Sequence, residues 1–371
     1  MKQQKQIQKQ KIKTNNCIDF VITWVDGSDE KWIQRKRDVD SLLKMPEQAE
    51  HFRDWGFLPY VLKSIELYAP WVHHIFIVTD RQVPSFLDRN GTVESNDLQC
   101  ENINSDASTI WDKITIMDHM DFIPKEYLPT FNSHTIELNF HRIPGLSEQF
   151  VYFNDDTLLT NPCEPEDFFE GGKPVDSAIL NGINGKDNLF AGIQFHNMAL
   201  MNVHYSIQDV RRHLSKWLHP AYGMQNIRTI LLLPFQRLQG IHNPHGPMPL
   251  LKSTYEKLWK RDKEVLHKTC LCKTRQEDNV SVYVMRYEQL LSGNFIPAKV
   301  KNRYLEVTDE PQKIAKALGT SKSVCINDVP MDETEFLKTR KRILKILQKK
   351  YDEIKCAKNN SKSNSKSDSK S

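Results

Sequence analysis

An amide and two adjacent carboxylates, Asn154, Asp155 and Asp156, come directly after four apolar or aromatic residues, 150–153. Such a run predicts a buried strand, and open α/β folds bind ligands at the carboxyl ends of their strands. Two carboxylates at that edge suit Mg²⁺ or Mn²⁺, which proteins commonly hold together with substrate phosphates. The alternative is a plain Asn-Asp-Asp turn that closes the strand, since these residues favour turns.

Polar residues also follow the strand that the sequence predicts at 18–25: Trp24, Asp26, Gly27 and Ser28. A glycine beside short polar side chains at a strand end lets backbone N–H groups approach a phosphate or a nucleotide. An ordinary turn explains the same residues equally well. The next predicted strand, 74–79, also ends in an acid, Asp80.

Four further polar residues share a helical spacing: His134, Glu137, His141 and Arg142. If 134–142 is one helix, residues three or four apart lie on the same face. We expect this face to meet an anionic substrate, with Arg142 offering a fork of donors that matches a phosphate. The spacing differs from the HExxH pattern of zinc proteases, and a solvated helix face is the alternative.

Two histidines, His242 and His245, stand in a segment rich in proline and glycine. A histidine near its unperturbed pKa accepts a proton readily, so either one is a candidate general base. Farther along the chain, Arg275 adds another fork donor, and Asn327 and Asp328 add oxygen ligands. Each of these residues, taken alone, also fits ordinary surface polarity.

The elements that must position these residues alternate between strands and helices. Apolar runs predict strands at 18–25, 74–79 and 114–117, and apolar residues at helical spacing predict a helix over 58–69. The strand before Asn154 is the fourth. This alternation predicts a mostly parallel, Rossmann-like α/β sheet that is flanked by helices and has one ligand-binding edge.

The predicted catalytic domain spans 17–330 and lies between basic termini. Within it, residues 170–240 form a less regular, partly helical insertion. The lysine-rich residues 1–16 predict a flexible arm, residues 331–356 a basic amphipathic helix, and the Ser/Asn/Lys repeat of 357–371 a disordered tail. The final helix fits two roles: contact with an anionic membrane, or packing on the core.

The composition is that of a globular protein with no strong nucleic-acid footprint. The 371 residues are 39% hydrophobic, and the net charge is only +4. No apolar run approaches the ~20 residues that span a bilayer, and the N-terminus lacks the apolar core of a secretory signal. The seven cysteines are scattered and odd in number, which favours reduced thiols in the cytoplasm.

Several segments resemble, in the same order, those of the Stealth proteins, a family that includes bacterial capsular polysaccharide phosphotransferases. The first of them reads IDFVITWVDGSD. The matching segments are 18–29, 53–87 with 128–159, 242–250 with 275–278, and 324–329. The second of these regions is long, which makes the resemblance specific.

The resemblance implies the transfer of hexose- or N-acetylhexosamine-1-phosphate from a UDP-sugar to a saccharide hydroxyl. The nucleoside monophosphate leaves, and a phosphodiester link of a capsular or cell-surface polysaccharide remains. Such phosphoryl transfer depends on charge neutralisation and in-line positioning. The resemblance further implies Mg²⁺ or Mn²⁺ as the cofactor and a sheet of the nucleotide-sugar transferase type.

The motifs also imply roles for individual residues. The implied metal ligands are Asp155, Asp156, Asn327 and Asp328. The implied catalytic groups are His242 or His245 as the base, Asp155 as a rival base, and Arg275 on the phosphate charge. The predicted substrate contacts are Trp24, Asp26, Gly27, Ser28, Asp80, His134, Glu137, His141 and Arg142.

Two rival functions would use the same residues differently. A metal-dependent glycosyltransferase would release UDP and form a plain glycosidic bond. A non-catalytic carbohydrate-binding protein would keep its function after replacement of Asp155. We expect a bacterial enzyme in the cytoplasm, in peripheral contact with the inner face of the cell membrane, and no nucleic-acid partner.

Overall fold

A largely parallel sheet forms the centre of the structure. The computed structural model describes residues 17–43, 52–87, 109–185 and 188–367, with side chains of the last helix described as far as Tyr351. In chain order the strands are β1 (Ile18–Thr23), β2 (Ile75–Thr79), β3 (Ile114–Asp118), β4 (Gln149–Asn154), β5 (Thr157–Leu159), β6 (Phe169–Glu170), β7 (Lys173–Asp176), β8 (Met248–Leu251), β9 (Ile296–Pro297), β10 (Asn302–Glu306) and β11 (Ser323–Asn327). The central sheet has the order β3-β2-β1-β4-β8. Only β8 is antiparallel to its neighbour there, which confirms the predicted α/β class.

Helices cover both faces of the central sheet. In chain order they are α1 (Glu30–Leu43), α2 (Leu58–Tyr68), α3 (His119–Phe122), α4 (Ser133–Glu137), α5 (Asn188–His204), α6 (Ile207–Arg212), α7 (Leu214–Trp217), α8 (Asn226–Leu232), α9 (Lys252–Arg261), α10 (Lys263–Leu271), α11 (Tyr283–Leu291), α12 (Pro311–Thr320) and α13 (Glu333–Ser367). Phe20 of β1 packs on the side of α2, whereas its neighbour Val21 packs on the side of α9. Because both faces of the central sheet are buried, the sequences of its strands are continuous apolar runs rather than alternations of apolar and polar residues.

A second sheet, β10-β11-β5, continues from the end of β4. Only Asp155 and Asp156 separate β4 from β5. β5 is antiparallel to β11, so that Thr157 lies opposite Cys325. The turn that carries the two acids therefore joins the central sheet to the second sheet.

The region predicted as an insertion at 170–240 contains two kinds of structure. Strands β6 and β7 come first and form a short sheet with β9 from later in the chain, and helices α5 to α8 follow. Gly192 suggests a loop in the sequence, yet it lies inside α5. A Cβ at that position would lie 2.9 Å from the carbonyl oxygen of Glu277, so glycine there allows close packing.

The final helix, α13, packs on the core. Its buried side chains are Phe336, Ile343, Leu347 and Tyr351. They belong to the apolar cluster that includes Leu62 and Ile65 of α2. Of the two roles that the sequence leaves open for this helix, the structure therefore supports core packing.

Helix α13 is also longer than predicted. The sequence predicts disorder from residue 357, whereas the backbone stays helical to Ser367. Extension of an existing helix gains one hydrogen bond per residue without a new nucleus. The predicted arm, 1–16, and residues 368–371 lie outside the described residues. Among the described residues, no helix is both long enough and apolar enough to cross a membrane.

Candidate active site

The two carboxylates predicted from the sequence lie in the turn between β4 and β5, at the carboxyl end of the parallel strands. β11 runs beside this turn, because the N–H of Ile326 donates to the carbonyl oxygen of Asp156 (3.0 Å). Asn327 and Asp328 follow Ile326 directly. The four predicted oxygen donors thus lie at one edge, and we call Asp155, Asp156, Asn327 and Asp328 the acidic edge.

Desolvation and like charge dominate the electrostatics of the acidic edge. Desolvation, then Asp156 and Asp54, raise the pKa of Asp155 well above its usual value. Desolvation also raises the pKa of Asp156, although Cys325 Sγ (3.3 Å) and Thr157 Oγ1 (3.0 Å) donate to its carboxylate. No Lys or Arg of the described residues contributes appreciably to either pKa. Asp155 and Asp156 are therefore a pair of carboxylates that no cation of the described residues neutralises.

Asp54 is an acid at this edge that the sequence analysis missed. Desolvation raises the pKa of Asp54, and the charge of Asp26 raises it further. The N–H of Gly56 donates to Asp54 Oδ1 (2.8 Å), and Arg340 of α13 lies near enough to lower the pKa of Asp54. The only signal in the sequence was its place inside the segment 53–87 that resembles the Stealth proteins.

The donors of the acidic edge fit a hard divalent cation. Carboxylate and amide oxygens suit Mg²⁺ and Mn²⁺, and Mg²⁺ usually binds one or two carboxylates together with waters and substrate phosphates. In the part of the chain that the structure describes, no group of three or more His, Cys, Asp or Glu side chains could hold a metal alone. A cation would offset the repulsion that raises the pKa of Asp155. The residues fit an ion shared with phosphate oxygens rather than a closed protein cage.

The turn after β1 is shaped by its own polar groups. Asp26 Oδ1 accepts from the N–H (2.8 Å) and the hydroxyl (2.6 Å) of Ser28. The buried Gln82 accepts from the N–H of Asp26 (3.0 Å) and donates to its carbonyl oxygen (2.8 Å). Arg35 pairs with Asp80 Oδ2 (3.0 Å). Ser28 and Asp80 thus already have partners in the protein, and Gln82 is a positioning residue that the sequence analysis missed.

Gly27 has a packing role in this turn. A Cβ at that position would lie 1.8 Å from the carbonyl oxygen of Phe52, so only glycine fits there without movement of the backbone. The phosphate-approach interpretation of Gly27 is therefore unnecessary to explain the residue. Trp24, three residues earlier, hydrogen-bonds Asp54, which brings the turn into contact with the surroundings of the acidic edge.

Helix α4 places His134 and Glu137 inside the protein rather than on an open face. The buried Tyr152 hydroxyl donates to Glu137 Oε1 (3.1 Å) and to Asn154 Oδ1 (2.5 Å). Among the described residues neither ring nitrogen of His134 has a hydrogen-bond partner, and its Nδ1 lies 3.5 Å from Glu137 Oε2. Through Tyr152, Glu137 therefore supports the end of β4. That end is Asn154, the residue before Asp155 of the acidic edge.

Arg275, the predicted fork donor, lies at the start of α4. Its Nε (3.1 Å) and Nη2 (2.9 Å) both donate to the Ser133 hydroxyl. This contact places the guanidinium next to His134 in the fold, although 141 residues separate the two in the chain. The segment is held further by the ion pair of Lys268 with Asp278 (2.6 Å).

The single helical face predicted over 134–142 is wrong. α4 ends at Glu137, and a 3₁₀ turn follows at Phe140–Arg142. Asn139 explains the break, because its side-chain amide donates to the carbonyl oxygen of Thr135 (2.8 Å) and so competes with the helical ladder. The spacing of the sequence gives no sign of this competition.

His141 and Arg142 consequently pack against α9, and the structure does not bring them to the acidic edge. The His141 ring stacks on Tyr255 (5.5 Å between centroids), and desolvation, followed by Arg142, lowers the pKa of His141 to about 3. The Arg142 guanidinium lies over the Trp259 ring at 5.0 Å. The His141 ring therefore packs inside the protein, whereas Arg142 is exposed at the surface beside Trp259.

The two predicted histidines do reach the edge where the parallel strands end. β8 is antiparallel to β4, and its first residue, Met248, pairs with Tyr152. The chain that leads into β8 therefore lies near the carboxyl end of β4. We call this segment, residues 241–247, the histidine loop.

Arg286, on α11, holds the histidine loop and is a second positioning residue that the sequence analysis missed. The guanidinium is buried and pairs with Asp176 through Nε (2.7 Å) and Nη2 (3.0 Å). It also donates to the carbonyl oxygens of Ser177 (2.8 Å) and His242 (2.9 Å), and to Asn243 Oδ1 (3.2 Å). Its position in the helix sequence YVMRYEQLL carried no functional signal.

The two histidines differ in their surroundings. Desolvation and the charges of Arg286 and Arg228 lower the pKa of His242 to about 4. His245 is exposed at the surface, but its ring packs on Tyr304 with 5.0 Å between centroids, and desolvation lowers the pKa of this ring as well. Burial, then neighbouring charges that include Asp156, raise the pKa of Tyr304 to about 12, so Tyr304 lies near the acidic edge as well as against His245.

A cavity of about 260 Å³ lies on the other side of the histidine loop. Leu159 and Ser323 line it, and they belong to the ends of β5 and β11 that point away from Asp156. Pro244, Pro247 and the buried Arg286 contribute as well. The histidine loop thus borders both this cavity and the acidic edge.

A parallel sheet with carboxylates at its carboxyl edge is typical of α/β enzymes, which bind their ligands at that edge. Two family models match the chain: Stealth protein CR1, conserved region 1, over residues 18–43, and Stealth protein CR2, conserved region 2, over residues 51–175. The match to CR2 includes Asp54 and the carboxylates of the β4–β5 turn.

Similar proteins extend these matches over most of the chain. The exopolysaccharide phosphotransferase cps2G of Lactiplantibacillus plantarum is 37% identical over 86% of this chain and 89% of its own. The capsular polysaccharide phosphotransferase WcwK of Streptococcus pneumoniae is 31% identical over 92% and 98%. The receptor polysaccharide phosphotransferase WefC of Streptococcus oralis is 34% identical over 89% and 97%. The chain belongs to the Stealth family, which confirms the membership predicted from its motifs.

Solved structures resemble the fold only loosely. The galactosyltransferase LgtC, crystallised with donor and acceptor sugar analogues, aligns over 90% of this chain and 96% of its own, with a TM-score of 0.38 and 10% identity. Mouse xyloside xylosyltransferase 1 aligns over 84% and 97%, with a TM-score of 0.34. The family assignment depends on the sequence relatives alone.

Proposed function

We propose that this enzyme transfers a sugar-1-phosphate from a UDP-sugar to a hydroxyl group of a polysaccharide or its precursor, at the acidic edge. The observation that carries the proposal is the group of carboxylates at the end of β4, which has no neutralising cation among the described residues. A site of this kind suits a divalent ion together with a diphosphate. Relatives named polysaccharide phosphotransferases support the same reaction class.

In this proposal Asp155, Asp156, Asn327 and Asp328 hold Mg²⁺ or Mn²⁺ with the diphosphate of the donor. When bound, the ion supplies charge neutralisation to the phosphate oxygens and to the leaving nucleotide. Asp54 adds negative charge beside the ligands. Asp155 and Asp156 directly precede β5, and Asn327 and Asp328 lie at the end of β11. Because β5 and β11 are hydrogen-bonded to each other, the sheet fixes the relative positions of these four residues.

Donor recognition involves the turn after β1 and the start of α4. The turn that carries Asp26 is fixed by Gln82, and the buried Trp24 connects it to Asp54 through a side-chain hydrogen bond. Arg275 offers its fork to the non-bridging phosphate oxygens, a geometry that guanidinium matches well.

We assign the general base to His245. His242 is the weaker base, since its pKa of about 4 leaves little affinity for a proton near neutral pH. His245 is exposed, and its ring packs on Tyr304, which lies near Asp156, so an acceptor hydroxyl can approach it there. Arg286 positions the loop through the carbonyl oxygen of His242 and the side chain of Asn243.

The proposed reaction conserves the anomeric bond of the sugar. The acceptor oxygen forms a bond to the phosphorus that carries the sugar, and His245 takes the hydroxyl proton. The bond from this phosphorus to the oxygen shared with the nucleotide breaks, and UMP leaves with that oxygen. The product is a phosphodiester between the sugar and the acceptor.

Product analysis tests the proposal. Purified full-length protein is incubated with Mg²⁺, a panel of UDP-hexoses and UDP-N-acetylhexosamines, and a capsule-type oligosaccharide, and ³¹P NMR follows the phosphorus. The proposal expects acceptor-dependent UMP and a new phosphodiester signal, both lost in Asp155→Asn. UDP without a phosphodiester would instead identify a glycosyltransferase. Because nucleotide sugars are cytoplasmic metabolites, we place the reaction on the cytoplasmic side of the membrane.

A further inference from the structure

Helix α8 exposes apolar side chains on the surface of the protein. The exposed residues of this face are Met224 (79%), Ile227 (46%), Ile230 (53%), Leu231 (67%) and Phe235 (50%). We call these five residues the α8 face. Thr229 is the buried residue of α8, and its hydroxyl accepts from the N–H of Leu180 (3.1 Å). At 100° per residue, positions 227 and 231 point away from Thr229 and hence away from the core.

The charge around the α8 face is positive. Residues 188–240 contain five Lys and Arg side chains but a single acid, Asp209, which pairs with Arg212 (2.6 Å). Arg211 and Arg237, both exposed, donate to the carbonyl oxygens of Leu233 (2.9 Å) and Asn202 (3.0 Å), contacts that leave their charge uncompensated. Arg228 is exposed on α8 itself.

The α8 face is tied to the histidine loop. Leu180, which donates to Thr229, also forms a β-bridge with Ile241, the residue before His242. Arg228 lies close enough to His242 to lower its pKa. A surface that binds the α8 face would therefore lie beside the active-site edge.

We propose that the α8 face docks this enzyme on the headgroup region of a phospholipid bilayer that contains anionic lipids. Apolar side chains enter the interface while arginines meet the lipid phosphates, as in interfacial helices. A second copy of the chain fits the face less well, because a two-fold contact would bring the arginines of both copies together. The helix that the sequence suggested for membrane contact, α13, instead buries its apolar side chains in the core.

Vesicle sedimentation tests the proposal without any substrate. Full-length protein is mixed with vesicles of phosphatidylcholine alone, or of equal parts phosphatidylcholine and phosphatidylglycerol. We expect cosedimentation with the anionic vesicles, weakened by salt. The double variant Ile230→Ser/Leu231→Ser loses about tenfold or more of this affinity, and Arg228→Gln about fivefold.

Leu337→Ser is the matched control, since Leu337 is 54% exposed on α13. It should bind vesicles as the wild type does. The proposal is overturned if the wild type ignores anionic vesicles, if the α8 variants bind normally, or if Leu337→Ser loses binding equally. It is also overturned if sedimentation equilibrium shows a dimer that the double variant dissociates, because the face would then be a contact between copies.

A second measurement avoids dependence on the folding of the serine variants. Leu231→Trp and Leu337→Trp each add one tryptophan, whose fluorescence reports on the surroundings of that position. Anionic vesicles should shift the additional emission of Leu231→Trp to shorter wavelength and leave that of Leu337→Trp unchanged; equal behaviour of the two contradicts the proposal. Transfer to a soluble oligosaccharide does not require the membrane, so failure of this inference leaves the proposed reaction open to its own test.

Discussion

Buried charges are arranged in opposite ways at the acidic edge and at the pair of Arg286 with Asp176, which we call the anchor of the histidine loop. At the anchor, Arg286 and Asp176 neutralise each other through two hydrogen bonds, and the remaining donors of Arg286 bind nearby oxygens. At the edge, Asp155 and Asp156 are desolvated, and within the described part of the chain the charges of Asp156 and Asp54 raise the pKa of Asp155 further. The anchor is complete without a ligand, whereas in our proposal a cation from outside the protein neutralises the edge.

This difference separates structural from functional polarity. A paired buried charge is stable as it stands, and loss of one partner is costly. A repelling pair of carboxylates lowers stability, so a fold has reason to retain it only where a ligand supplies the missing charge. Replacement of residues should therefore change stability at the anchor and activity at the edge.

Asp155→Asn should have the largest effect, a loss of about 10³-fold in transfer rate, because a ligand of the neutralising ion is removed. The free energy of unfolding of this variant should instead increase when no ion is bound. A raised folded-state pKa means that Asp155 stabilises the fold at low pH and loses that contribution as the pH rises. In EDTA at neutral pH, the variant should therefore unfold at a higher urea concentration than the wild type.

The control for this prediction is Asp38→Asn, an exposed acid on α1. It should leave both the transfer rate and the urea midpoint unchanged. If Asp155→Asn destabilises the protein in EDTA, the edge is structural in the same sense as the anchor, and the contrast between the two regions fails.

Arg286→Ala should reduce the free energy of unfolding by about 3–5 kcal/mol, because it leaves the carboxylate of Asp176 buried and unpaired. Urea denaturation measures the change. The double variant Arg286→Met/Asp176→Leu removes both charges and should recover part of the stability, although not the position of the histidine loop. A cost near zero for Arg286→Ala would show that the pair does not anchor the loop.

His245→Gln should reduce kcat by about 10²-fold, the lower range for removal of a general base. His242→Gln should cost less. Desolvation lowers the pKa of His245 from 6.5, so the wild type should retain kcat/KM as the pH falls through 6.5 and lose it only at lower pH. A pH profile of both variants checks this, and a larger loss in His242→Gln would reassign the base.

Gly27→Ala should destabilise the protein by about 1–3 kcal/mol, because its Cβ would overlap the backbone of Phe52. Gly27 lies near the acidic edge, but its role is structural, as is that of Arg286. Gly182→Ala is the control, since a Cβ there meets no atom within 4 Å. Thermal unfolding measures both variants. If Gly27→Ala keeps its stability and loses donor affinity alone, Gly27 is a ligand contact after all.

The sequence predicted the parts of this molecule that depend on local pattern. The apolar strands and the acids that follow β4 were readable because a buried parallel strand is apolar throughout and ends at a ligand edge. The pairing of Asp155 and Asp156 with Asn327 and Asp328 followed from the resemblance of motifs, and the register of β11 brings the two segments together.

The missed features depend on contacts between distant segments. Arg286 meets Asp176 over 110 positions, and Gln82 meets Asp26 over 56. The break at Asn139 depends on one side-chain hydrogen bond that competes with a helical pattern. Both α8 and α13 carry apolar residues, and only tertiary packing decides that α13 is covered and the α8 face is exposed.

The most direct test of the acidic edge is a Mn²⁺ titration followed by electron paramagnetic resonance, with UDP present and absent. Binding removes the signal of the free ion. The wild type should bind Mn²⁺ strongly only with UDP, since the edge shares its ion with phosphate oxygens, and Asp155→Asn should lose this binding while Arg286→Met/Asp176→Leu keeps it. Equal binding by wild type and Asp155→Asn would contradict a metal site at the acidic edge.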